Sequence, residues 1–139
     1  RIGELKNLGA TVGLHCCGEW NVEETLAWPL DVLSFDTALM GEALLEDPAR
    51  VAGFRERGGR LALGMVPTRS ASTWNSRREV EQWRTRFVAA LGEETARETL
   101  AESLLTPACG LGLRSVEEAE LAFRRLEEVK SEMSLLLQG

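Results

Sequence analysis

The chain reads as an α/β protein built on a parallel sheet, and three observations lead there. Four short runs, Ala10 to Cys16, Asp31 to Asp36, Arg60 to Val66 and Leu104 to Cys109, are mostly apolar and bounded by turn residues. Continuous apolar runs of this length mark strands covered on both faces. Between them lie segments whose apolar residues recur every three or four positions, the period of a helix face. The two patterns alternate along the 139 residues, which predicts βα units with right-handed crossovers. Four such units amount to half of the ~250 residues that an eight-stranded barrel takes. The predicted architecture is a single domain over residues 1–139, an incomplete (βα)8 barrel.

Each element has its own signal. The opening Arg1 to Gly9 reads as the last turns of a helix with Gly9 beyond its C-terminus, so the chain is expected to start within a larger fold. Asn21 with Glu24 is a capping box before a short helix that stops at Pro29. Asp47-Pro48 supplies an N-cap and first-turn proline, and Gly58-Gly59 closes that helix. Ser76 with Glu79 opens a helix striped by Val80, Trp83, Phe87 and Leu91. Ser115 with Glu118 opens the last helix, striped by Val116, Ala119, Phe123, Leu126, Val129, Met133 and Leu136.

Composition narrows the function. Net charge is −6, which argues against nucleic acid as a partner because phosphate binding needs clustered Lys and Arg. The pairs Arg77-Arg78 and Arg124-Arg125 fall in Glu-rich helical patterns and read as solvated faces. No segment approaches the ~20 apolar residues of a membrane span. Three cysteines, two of them adjacent, do not make a disulfide scaffold. A reducing cytoplasm is the simpler expectation.

The chemistry gathers at the C-terminal ends of the strands, where parallel α/β folds place their sites. The first strand ends in His15-Cys16-Cys17, the second in Phe35-Asp36-Thr37 and the fourth in Cys109-Gly110. Alternation along a strand puts His15, the only histidine, on one side with Cys17 and sends Cys16 to the other. One imidazole and two thiols suit a soft tetrahedral ion, most commonly Zn2+, with a fourth position open to a thiol substrate. Asp36 is either a displaceable fourth ligand or the acceptor that orients the imidazole. The plainer alternatives are that Cys17 and Cys109 are buried core residues and that Asp36 caps a loop. Trp20 and Trp74 follow strand ends and are candidates to cover a flat substrate. Arg69 is a candidate for binding a carboxylate. Trp83, on a helical stripe, reads as core.

The segments His15-Cys16-Cys17-Gly18, Asp31-Val32-Leu33-Ser34-Phe35-Asp36 and Thr106-Pro107-Ala108-Cys109-Gly110-Leu111 resemble the C-terminal catalytic barrel of cobalamin-independent methionine synthase. That family belongs with uroporphyrinogen decarboxylase and the corrinoid:thiol methyltransferases. The resemblance implies that this chain is the C-terminal half of a TIM barrel. It implies zinc on His15, Cys17 and Cys109, with Asp36 at the position of an acidic ligand that is usually Glu. The activity it implies is methyl transfer to a thiol, homocysteine to methionine, from a methylfolate or similar donor. The second cysteine argues against the decarboxylases, which have no zinc. A corrinoid-dependent thiol methyltransferase and a non-catalytic barrel fragment are the alternatives. The isolated chain is expected to be inactive and to pair with a missing barrel half or a second copy.

Overall fold

The computed structural model describes residues 1–69 and 71–139. Its strands are β1 (Gly13–Cys16), β2 (Val32–Asp36), β3 (Arg60–Val66) and β4 (Leu104–Pro107), and all pair in parallel in the order β1-β2-β3-β4. Its helices are α1 (Ile2–Asn7), α2 (Val22–Ala27), α3 (Thr37–Leu45), α4 (Pro48–Glu56), α5 (Ser76–Leu91), α6 (Glu93–Glu102) and α7 (Val116–Gln138). The expected α/β class and parallel sheet are both present.

Strand order decides what is covered. Parallel neighbours in sequence order, joined by right-handed crossovers, carry all their connecting helices on one face. Register puts Leu14, Leu33 and Leu61 in one row and Phe35, Leu63 and Leu105 in another, all on that face. There they join a core with Val51, Phe54, Val80, Trp83, Phe87, Leu100, Val129 and Met133. The opposite face carries His15, Ser34, Asp36, Ala62, Gly64 and Thr106, mostly small or polar and bare of helices, although Ala62 and Gly64 at its centre are buried.

The caps explain several boundaries. Asn21 Oδ1 accepts from the Glu24 N–H, and Asp47 Oδ1 accepts from the Arg50 N–H. Ser115 and Glu118 form the reciprocal capping box of α7. Gly9 and Gly58 adopt φ of +81° and +84° just past α1 and α4, a region that only glycine enters without strain.

Several expectations need correction. Strand β1 begins at Gly13 rather than Ala10. The β2–β3 and β3–β4 connections hold two helices each, because α3 and α6 join the expected ones. The N-cap of α5 is Asn75, whose Oδ1 accepts from the Arg78 N–H. Ser76 is instead the first helical residue, and its hydroxyl donates to Glu128 on α7. Strand β4 stops at Pro107 rather than Cys109: the Ala108 N–H donates to the Val66 carbonyl and completes the Val66–Pro107 pair, the last in the register. The α7 stripe is only partly buried: Val116 and Phe123 are 70% and 59% exposed, while Ala122, Val129 and Met133 enter the core. A helix at the end of a sheet has one covered side, and this stripe is wider than that side. Of the paired arginines, Arg77, Arg78 and Arg124 are exposed as expected, but Arg125 is half-buried, donating to the Ala71 carbonyl and to Glu128. No described helix is long and apolar enough to cross a membrane.

Candidate metal centre

His15, Cys17 and Cys109 converge. One ligating atom from each lies within 4.8 Å of the other two, and all three residues are exposed. This needs explanation, because β1 and β4 are the outer strands of the sheet. Three strand spacings separate them, roughly 14 Å across a flat sheet. A cysteine side chain cannot span that distance, so curvature of the sheet and the path of the chain after β4 together must close it.

Gly64 allows it. A Cβ at Gly64 would lie 2.5 Å from the Phe35 carbonyl oxygen and 2.8 Å from Cα of Ala108. The backbone leaving β4 therefore crosses the end of β3 where a side chain would otherwise stand. A register shift between Gly64 and Val66 marks the crossing. The Ala108 N–H holds it by donating to the Val66 carbonyl at 2.8 Å. Cys109, the next residue, is thrown toward β1 and β2.

On the other side, His15 is fixed by the sheet itself. It is paired in register with Ser34, and its Nδ1 lies 2.9 Å from Ser34 Oγ. When Nδ1–H donates in that bond, Nε2 is the ring nitrogen with a lone pair to offer, the arrangement that a hydrogen-bonded metal-ligating imidazole adopts.

The donors fit a tetrahedral ion. Ligand distances of ~2.0–2.3 Å place neighbouring donors about 3.5–3.8 Å apart. The cluster must contract by about 1 Å from its outer limit, within reach of cysteine rotamers. Glycines 18 and 110, which follow the two cysteines, have nothing crowding their missing Cβ positions. With three protein ligands and an exposed setting, a fourth position faces solvent.

The remaining sequence candidates are placed differently. Asp36 Oδ1 accepts from the Ala38 and Leu39 N–H groups as the N-cap of α3, at 2.9 and 3.3 Å. Its carboxylate is outside the three-residue cluster, although it shares the bare face with His15 and Ser34. Ser34, not Asp36, orients the imidazole. Cys16 lies on the helix side of β1, where burial first and the neighbouring Cys17 second push its thiol pKa up. Trp20 packs edge-on against Phe35, with ring centres 5.9 Å apart, and Trp74 lies half-buried against the core. Trp83 is core, as its stripe predicts. Arg69 is exposed.

Ser34 and Gly64 are the candidate-site positions that sequence reasoning missed. Ser34 was recoverable from alternation, since it lies two residues before Asp36 and so shares its face. Gly64 carried only the general signal of a glycine inside a strand, which often marks close backbone approach.

Comparison with protein-family models, curated proteins and solved structures found no match to this chain.

Proposed function

We propose that this chain is the zinc-binding half of a (βα)8 methyltransferase whose acceptor is a thiol. The convergence of His15, Cys17 and Cys109 on the bare face carries this reading. Bound zinc would supply a positive centre on which a substrate thiol is present as thiolate at neutral pH. The chain's own residues provide the rest. Ser34 holds the His15 ring in one orientation. Asp36 keeps one carboxylate oxygen on its helix cap and has the other available on the bare face, as a further ligand or an acceptor for the substrate's proton. Gly64 lets the Cys109 loop reach the site. The solvent-facing fourth position is where a small thiol fits.

Homocysteine as acceptor and a methylfolate-like donor rest on the motif resemblance to cobalamin-independent methionine synthase. A half-barrel lacks the opposite wall of such a site. Among the described residues, strands β1 and β4 each have an unpaired edge, and such edges call for covering strands. Those strands would come from a further barrel half or a second copy. Three free cysteines suit a reducing cytoplasm.

The deciding experiment is metal stoichiometry on the chain and on Cys109→Ser. The expected result is one zinc per chain, lost in the variant. With zinc established, methyltetrahydrofolate and methylcobalamin are compared as donors to homocysteine, with the barrel completed. A chain that binds no zinc, alone or completed, overturns the proposal.

A further inference from the structure

We propose that Cys17 and Cys109 form a peroxide-sensitive thiol pair that closes to an intramolecular disulfide, and that closure abolishes the metal site. The inference rests on the thiol pair alone; only its metal-protection arm depends on the proposed function.

Three features of the pair support it. The two sulfurs lie within 4.8 Å of each other, and both residues are exposed, so an oxidant reaches them. Both sit just past strand ends, and each is followed by an uncrowded glycine. The loops can therefore bring the sulfurs to the ~2.05 Å of a disulfide bond. The third cysteine is excluded by geometry: Cys16 points to the helix-covered side of β1 and lies outside the cluster. Adjacent Cys16 and Cys17 also lack the separation that an unstrained disulfide requires.

The chemistry balances with one co-reactant, hydrogen peroxide. One thiolate attacks the peroxide O–O bond, giving a sulfenic acid and hydroxide. The partner thiol then attacks the sulfenic sulfur, forming the S–S bond and releasing water. Overall, two thiols are oxidised by two electrons, and one peroxide is reduced to two waters. The disulfide removes both anionic sulfur donors and leaves His15 alone, too few ligands to hold an ion. Metal binding and disulfide formation are thus alternative states of the same two sulfurs, and a dithiol reductant restores the first.

The test treats the metal-free chain with one equivalent of hydrogen peroxide and maps cysteine linkages by peptide mass spectrometry. The expected product is a Cys17–Cys109 cross-linked peptide, lighter by two hydrogens than its separate halves. It should form equally in Cys16→Ser, be absent in Cys109→Ser, and be lost on adding dithiothreitol. Zinc uptake should fall from one per chain to none on oxidation and return on reduction. Mainly sulfinic or sulfonic acids, or disulfides between chains, would overturn the proposal. So would a Cys16–Cys17 linkage. If the disulfide forms but zinc neither binds the reduced chain nor slows the reaction, the thiol pair stands and the zinc reading falls. If zinc binds at one per chain and no disulfide forms, the outcome is reversed.

Discussion

The helix-covered face of the sheet and its bare face come from the same four strands, and they are built to opposite rules. On the covered face, Leu33, Phe35 and Leu63 have no exposed surface at all. They pack against helices and stabilise the fold by removing apolar area from water. On the bare face the same strands present His15, Ser34, Asp36 and Gly64, residues that contribute little by burial. A single-residue step along β2, from Phe35 to Ser34 or Asp36, moves from the centre of the core to the edge of the candidate site. Stability and chemistry are therefore separable by mutation in this protein to a degree that an interdigitated site would not permit.

The sharpest contrast is Cys109→Ser against Phe35→Ala. Cys109 is exposed and lies outside the hydrophobic core cluster, so the serine variant should bind no metal while its unfolding free energy stays within about 0.5 kcal/mol of wild type. Phe35→Ala removes a fully buried ring and should cost about 3–5 kcal/mol. Chemical denaturation and zinc titration of both variants check the pair. A large stability loss in Cys109→Ser would mean that the thiol is structural and that the two faces are not independent.

Gly64→Ala probes the one place where the faces meet. An alanine Cβ there clashes with both the Phe35 carbonyl and the Ala108 backbone, and both are main chain that cannot swing aside. Overpacking of this kind typically costs about 1–3 kcal/mol. Because Ala108 carries Cys109 with it, zinc affinity should fall beyond what the stability loss explains. Unchanged affinity in the folded variant would show that the Cys109 loop finds its place without the crossing.

Ser34→Ala should leave stability nearly unchanged and weaken metal binding by about 10- to 100-fold, the usual effect of removing a partner from a ligating histidine. Ser34→Thr keeps the hydroxyl and should recover most of the affinity. Competition with a chelator of known affinity measures both. Full affinity in Ser34→Ala would remove serine from the site and return the orienting role to Asp36.

These contrasts also explain what could be read from the sequence. The four strands were legible because each is a compact apolar run, and β3 was legible to the residue. His15, Cys17 and Cys109 were legible because their residue types are rare here and fall at strand ends. Helix α3 was not, for two reasons. Its N-cap is Asp36, which already reads as a strand-end site residue. Its interior also holds Gly41, a helix-weakening residue present because a Cβ there would lie 2.3 Å from the Trp83 ring. That need is tertiary, and no local pattern announces it. Helix α6 follows directly on Gly92, which serves both as the end of α5 and the start of α6. The crossing at Gly64 is tertiary in the same way, which is why the sequence offered the three donors without the geometry that unites them.

The smallest expected effect separates the two faces by pH. Asp31, at the start of the β2 segment, accepts from Lys6 Nζ at 2.8 Å and from the Val12 N–H at 2.7 Å. Those bonds, the Lys6 one foremost, hold its carboxyl below the usual carboxylate range. Glu128 is lowered likewise, by Arg125 first and then by Ser76, which joins α7 to α5. A carboxyl with a depressed folded pKa binds a proton more readily in the unfolded chain. Its contribution is complete above the ordinary value of about 4 and disappears as pH falls through the folded value. Both carboxylates are partly exposed, so solvent screening keeps each effect small. Thermal unfolding midpoints should therefore decline from about pH 5 to about pH 3, and Asp31→Asn should flatten part of that decline. Metal release should come first on acidification, because the site needs a neutral imidazole and two thiolates. The chain should thus pass through a window in which the bare face has lost its ion and the covered face is still folded. Metal loss and unfolding in one coincident transition would show that the ion, rather than the core, holds the two faces together.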